Sequence, residues 1–403
     1  MDASQIGKTI ASLRRKNSMT QAVLAEKLGV SNKAVSKWEN GQGYPDISVF
    51  PALASLFDVS VDYLMLGEKK GIAVAGNIII DNVKNIDCFP KPGMLAYVSE
   101  ITPAVGGCVP NTAIDLARID GRLDVSAIGC VGNDENGRFA INELKKNGVN
   151  VERVCFKDKI HTSFCDVMSL PDGERTFFHC KGANAYFSPE QVDASTLNAD
   201  ILHIGYILLM DEFDREDEEY GTVLARFLDS VCQCGIKTSV DVVSDSNADY
   251  SAKIVPVLKY VSYFIVNELE CCRTWGLEAV NPDGSLNEAN VRLAMEKCVG
   301  AGVREKVIVH SKEKAFILDA ATGSFVSMGS LMIPHEAIKG SVGAGDAFCA
   351  GCLYGLHNSY SDEQILEFAT AAAACSLFAA NSTDGMVSRN EIFKIAKKYS
   401  RRK

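Results

Sequence analysis

The chain has 403 residues, 47% of them hydrophobic and 23% charged, with a net charge of −10. That balance excludes a disordered or fibrous chain and suits two domains or one large one. No apolar run reaches the length of a membrane span and the polar N-terminus has no signal-peptide core, so a soluble cytoplasmic protein with no membrane partner is expected.

Residues 1–66 read as a small all-α bundle. In "IGKTIASLRRKN", Ile6, Ile10 and Leu13 fall on one helical face. "TQAVLAEKLG" follows, with Thr20 as N-cap and Gly29 placed for the left-handed C-terminal turn. Ser31 caps "NKAVSKWEN", and Gly41 ends it; "DISVFPALASLFDV" and "SVDYLML" complete the bundle. "GEKKG", residues 67–71, is the expected linker.

Residues 72–395 read as a second domain of a different class. "GIAVAGNIIID" is a buried strand ending at a carboxylate; "NTAIDLARI" is a helix, "DVSAIGCVG" a strand and "GRFAINELKKNG" a helix. "ADILHIGYILL", "KTSVDVV", "VSYFIVN" and "EKVIVH" are further strands, mostly separated by helical stretches. That alternation predicts a parallel sheet covered on both faces. "HTSFCDVMSL" and "ERTFFHC", joined by "PDG", predict a hairpin outside that sheet. The acidic run "DEFDREDEE" reads as a solvated helix start, with a substrate loop as the alternative.

The 14 cysteines are scattered and read as free thiols of a reducing compartment. Only Cys349 and Cys352 have CxxC spacing, and they read as small buried hydrophobes rather than redox or metal groups. Charge is uneven. Residues 1–43 carry seven Lys/Arg against three acids, a net +4, which leaves −14 for the remainder and suggests separate partners for each part.

Two helices joined by a tight turn can place the second in a DNA major groove. Here that helix opens with Ser31, Asn32 and Lys33 and continues to Ser36 and Lys37, all donors suited to bases or phosphates. Gln21, at the start of the helix before it, is placed to hold a phosphate. The pattern "TQ…LA…LGVS…VS.WE.G" resembles the Cro/repressor-type helix-turn-helix family, which implies double-stranded DNA as a partner. A helical protein-interaction module is the alternative.

"GSVGAGDAF" poses a separate chemical question. Gly343, Ala344 and Gly345 at a helix start would present unpaired backbone N–H groups and the positive end of the dipole, a site for a phosphoryl group. Asp346, directly behind them, could accept the proton of an attacking hydroxyl. Taken alone, Asp346 could also be an ordinary helix-start carboxylate.

The same loop resembles the second signature of the ribokinase-like sugar kinases, the PfkB family, and the likeness runs from about Gly71 to Arg389. "GCVGNDENGRF" resembles its first signature. "GNIIID" and "GGCVPNTAIDLARI" resemble its substrate segments, which implies that Asp81, Gly106, Gly107 and Asn111 hold the sugar-like substrate. "NELE" resembles its Asn-x-x-Glu, implying that Asn267 and Glu270 organise Mg²⁺ through water and ATP phosphate. The resemblance implies a three-layer α/β/α domain with a small β lid, ATP as phosphoryl donor, and lid-mediated homodimers. The bland readings are a strand cap at Asp81, a turn at Gly106-Gly107 and a helix cap at Asn267/Glu270.

Departures accompany the resemblance. Gly340 and Ser341 replace the family's Asp-Thr, which argues against a monovalent-cation site. Near the adenine, "VIVHSKEK" puts Ser311 and Lys314 where glycines usually stand, so Ser311 is a nucleotide-contact candidate in a crowded pocket. "GGCVPN" and Ile79 do not favour ribose, although "GAN" at Gly182–Asn184 resembles ribokinase. The reading is an ATP-dependent kinase of a sugar-like alcohol joined to a DNA-binding regulator. The alternatives are a catalytically weak sugar- or nucleoside-sensing regulator and a nucleoside kinase.

Overall fold

The computed structural model describes residues 3–59, 61–66, 70–171, 174–245 and 249–402. It divides into two compact units, Met1–Lys70 and Gly71–Lys403. Residues 67–69 of the expected linker lie outside the described residues, and Gly71 is the first residue of a strand rather than linker.

The first unit holds α1 (Ala3–Lys16), α2 (Gln21–Leu28), α3 (Asn32–Glu39), α4 (Phe50–Phe57) and α5 (Val61–Leu66). Thr20 Oγ accepts the Val23 N–H and Ser31 Oγ the Ala34 N–H, so both expected N-caps form. Gly29, at φ 67°, ends α2. Ile10, Leu24, Val35, Leu53 and Leu64 are fully buried at the centre. Arg14 and Glu39 close the α1–α3 contact with two hydrogen bonds of 2.6 and 2.8 Å.

The second unit opens with β1 (Gly71–Gly76), β2 (Ile79–Ile86), β3 (Val98–Gly106), α6 (Cys108–Ile119), β4 (Val125–Gly132), α7 (Glu135–Lys146) and β5 (Asn150–Lys157). Next come β6 (Phe164–Ser169), β7 (Arg175–Cys180), β8 (Ala199–Ile207), β9 (Glu216–Asp217), β10 (Gly221–Thr222), α8 (Val223–Gln233) and β11 (Lys237–Val242). The remainder is α9 (Tyr250–Leu258), β12 (Tyr263–Asn267), α10 (Glu268–Arg273), α11 (Glu288–Gly300), β13 (Lys306–His310), β14 (Lys314–Asp319), β15 (Phe325–Gly329), α12 (Ala344–His357), α13 (Asp362–Ser376) and α14 (Arg389–Lys398).

A nine-stranded sheet runs β15-β14-β13-β12-β11-β8-β1-β4-β5. It is parallel except at one edge, where β13–β14 and β14–β15 pair antiparallel. Alternate residues of β1 enter different cores, Ile72 and Val74 on one face and Ala73 and Ala75 on the other. The period-2 geometry of a strand thus produces the three layers directly.

A second sheet, β3-β2-β6-β7, forms the lid. The expected hairpin is β6–β7, paired antiparallel; Asp172 and Gly173 of its "PDG" turn lie outside the described residues.

Four expectations need correction. "GIAVAGNIIID" is two strands in two sheets, so Asp81 stands inside lid strand β2 rather than at the end of a central strand. The crossing is possible because Asn184 serves the Ile78 backbone, accepting its N–H at 3.1 Å and donating to its carbonyl at 3.2 Å. The acidic run forms turns and β9 rather than a helix start, because Asp214 accepts the N–H groups of Leu208 and Met210. The domain does not stop at 395: Arg401 donates to Gly329 O and Thr370 Oγ at 2.9 Å, and Arg402 N–H to Ser330 O at 2.9 Å. Finally, not all thiols are free. Cys130 and Cys155, register partners on β4 and β5, form a disulfide because parallel pairing sets their Cα atoms 4.8 Å apart.

Candidate active site

Helix α12 starts at the glycine loop. Gly343, its N-cap, has φ 80°, a conformation that disfavours any side chain, and a Cβ there would collide with Ser382. No side chain caps the helix; the Ala344 N–H makes only a long 3.4 Å contact with Ser341 O, so the helix start keeps donor capacity for an anion. At Gly345 an added Cβ would meet nothing closer than His310 at 3.5 Å, which leaves the approach to this turn open.

Asp346 is 5% exposed and sits in the first turn of α12. Its Oδ2 accepts from Asn111 Nδ2 at 2.8 Å and from the Tyr206 hydroxyl at 3.0 Å. Burial first, then the charge of Asp241, push its carboxyl up to about 6, against those two donors. A carboxylate tuned there is ionised at neutral pH and still basic enough to take a proton.

A cleft of about 210 Å³ joins Asp346 and the 343–345 turn to Asn267, Glu270, Ser244 and Asp241. Asn267 and Glu270 form a reciprocal cap on α10: Asn267 Oδ1 accepts the Glu270 N–H at 2.8 Å, and Glu270 Oε2 accepts the Asn267 N–H at 2.9 Å. Ser244 Oγ donates to Glu270 Oε1 at 2.8 Å. The cap and the cleft wall are the same residues. Burial pushes the Glu270 carboxyl up to about 8, so a cation beside it would favour the charged form. Oxygen donors at a cleft wall suit a hard divalent cation, and the α12 start suits a phosphate; the residues fit Mg²⁺ and a nucleotide.

Asp81, Gly106 and Gly107 cluster where β2 meets β3 and α6. A Cβ at Gly106 would strike Asp81 Oδ2, and one at Gly107 (φ 85°) would strike Asn77 O, so both glycines make room that no other residue leaves. Burial pushes the Asp81 carboxyl up to about 6, opposed by the charge of Arg175. Asn111, one turn into α6, is held at both ends, donating to Asp346 and accepting from Ser382 Oγ at 2.7 Å. Both ends of its amide are thus engaged by protein groups, and it positions Oδ2 of Asp346. None of these four lines the cleft beside Glu270. Nor does Ser311, expected at the nucleotide: its hydroxyl accepts the N–H groups of Glu313 and Lys314 and closes the β13–β14 turn.

In the head, Asn32, Lys33 and Lys37 are exposed on α3, Ser31 is exposed at its N-cap, and Ser36 is half-buried. Gln21 differs from expectation: its amide donates to Glu39 Oε2 at 2.8 Å, which Arg14 already holds.

Sequence reasoning missed Tyr206, Asp241 and His310. Tyr206 has φ 62° and is pinned by its N–H to Asp241 Oδ1 at 2.6 Å. His310, beside Gly345, is pushed down to about 4 by burial and stays neutral. An aspartate inside the buried strand "SVDVV" was the one available signal.

The carbohydrate kinase model of the pfkB family matches residues 69–389. The chain belongs to that family. A helix-turn-helix model matches residues 10–64, so the kinase carries that domain at its N-terminal end. Ribokinase of Bacillus subtilis (strain 168) is 26% identical over 330 residues, covering 80% of this chain and 98% of that protein. 5-Dehydro-2-deoxygluconokinase of Shouchella clausii is 22% identical, covering 72% and 86%. Among solved structures, the Arabidopsis thaliana ribokinase complexed with ribose and ATP superposes with a TM-score of 0.66 at 21% identity, covering 83% of this chain and all of that one. The Methanocaldococcus jannaschii nucleoside kinase gives 0.63 at 17%, covering 82% and 100%. At those identities the likeness is one of fold. Among the described residues no helix is long and apolar enough to cross a membrane.

Proposed function

We propose that this carbohydrate kinase transfers the terminal phosphoryl group of ATP to a hydroxyl of a sugar-like substrate, and that its helical head binds double-stranded DNA. The observation that carries the kinase reading is Asp346, a buried carboxylate held by two donors directly behind an uncapped helix start.

Bound Mg²⁺ and ATP supply the phosphoryl group and the charge that draws it across. Asp81, with the room left by Gly106 and Gly107, binds substrate hydroxyls. Asn111 and Tyr206 hold Oδ2 of Asp346, so Oδ1 takes the hydroxyl proton. The 343–345 N–H groups steady the negative charge of the transferred group. Asn267 and Glu270 would hold Mg²⁺ through water. Gly340 offers no carboxylate, which argues against a monovalent-cation site.

The lid supports a homodimer. Leu95, Met94 and Tyr97 are 75, 71 and 70% exposed, with Ile101, Phe177 and Phe178 also open. Apolar side chains of that kind, on the loop entering β3 and on strands β3 and β7 of the lid, mark a pairing surface. A paired head would read an inverted repeat, with sugar binding altering DNA affinity.

A screen of sugars and nucleosides for ATP-dependent phosphorylation, with thermal-shift binding alongside, tests the reading. Turnover of a sugar supports it; turnover of nucleosides alone makes the chain a nucleoside kinase. Binding without any turnover makes the fold a sensor, a reading favoured by the closed Ser311–Lys314 turn.

A further inference from the structure

We propose that His203, Asp241 and Cys349 form a binding site for a zinc-class transition-metal ion at the floor of the cleft, and that its occupation slows phosphoryl transfer. The three come from β8, β11 and α12, and their ligand atoms all lie within 4.8 Å of one another. His203, Asp241 and Cys349 are 0, 8 and 2% exposed.

The spacing is that of one coordination shell. Cys349 Sγ lies 3.6 Å from His203 Nε2, and Nε2 lies 3.8 Å from Asp241 Oδ2. A tetrahedral zinc ion with sulfur and nitrogen ligands sets those two atoms about 3.5 Å apart. The outer contacts needed by such a site are already made. His203 Nδ1 pairs with Ser239 Oγ at 3.0 Å, which leaves Nε2 for the ion. Asp241 Oδ1 takes the Tyr206 N–H, which leaves Oδ2. Asp241 and Cys349 line the cleft, so an ion has an entry path and an open fourth position. Imidazole with thiolate selects zinc, cobalt or copper; Mg²⁺ prefers oxygen alone.

Occupation changes the base. Asp241 and Asp346 line one cleft and are both held by Tyr206, its N–H on Asp241 Oδ1 and its hydroxyl on Asp346 Oδ2, so the charge of Asp241 acts on Asp346 by repulsion and raises its basicity. A cation on Asp241 replaces that repulsion by attraction and makes Asp346 a weaker proton acceptor. This second consequence rests on the kinase reading above; the site itself does not.

Cobalt(II) titrated into the full chain is the probe. One equivalent should give a thiolate-to-cobalt charge-transfer band, lost in Cys349→Ser and needing at least about ten-fold more cobalt in Ser239→Ala, which leaves all three ligands in place. No band, or a band that survives Cys349→Ser, overturns the site. Stoichiometric zinc should then cut turnover of the wild type relative to its zinc-free rate, and leave the Cys349→Ser ratio near one. Cobalt binding with unchanged turnover overturns the slowing alone.

Discussion

The Tyr206 hydroxyl donates to Asp346 Oδ2 at 3.0 Å while the Tyr206 N–H donates to Asp241 Oδ1 at 2.6 Å. One residue in a left-handed conformation thus joins two carboxylates that line the cleft. A donor to the ionised form favours ionisation. Tyr206→Phe removes it, so the Asp346 carboxyl should rise above about 6. The acid limb of kcat/KM should move up by roughly one pH unit, with the largest loss near pH 6 and little near pH 8. A limb that does not move would show that the phenol does not tune the base.

Asp346→Asn keeps the shape and removes the proton acceptor. Turnover should fall about a hundred- to ten-thousand-fold, while substrate binding by calorimetry changes little. The wild-type rate should rise with pH through about 6, because burial holds the carboxyl up and the ionised form is the active one. Wild-type turnover in the mutant would remove Asp346 from the chemistry.

Asp81→Ala should weaken substrate binding far more than nucleotide binding. Hydroxyls that lose a buried acceptor are left unpaired, a cost of about 1–3 kcal/mol each. Asp81 stands on the lid and does not line the cleft that holds Glu270, so the two ligands should separate cleanly in calorimetry. Equal losses for both would count against a substrate role.

Lys33 and Lys37 are exposed on α3, where the proposed DNA phosphate contacts would be made. Lys33→Ala/Lys37→Ala should weaken DNA binding at all sequences and reduce the slope of log affinity against log salt by roughly 2. Titration of the full chain at several salt concentrations measures both quantities. An unchanged slope would assign the contacts elsewhere.

Local chemistry made much of this protein legible before any fold was known. Thr20 and Ser31 cap as read, because an N-cap needs only the N–H three residues on. The three layers follow from apolar strands alternating with helices, and the GAGD loop carries its own conformational demand at Gly343. What the chain order hid is what distant segments do to one another. Asn111 reads as a substrate ligand, yet 235 residues separate it from the Asp346 that claims it. Asp81 reads as the end of a central strand, but Asn184, more than a hundred residues away, lets the chain leave that sheet. Tyr206, Asp241 and His203 carry no motif, and the CxxC spacing of Cys349 points to Cys352 rather than to them, because their meaning is a shared position. Burial and neighbouring charge there set basicity, and the strands and helix set the spacing of the proposed ligands; both depend on through-space distance rather than on sequence separation.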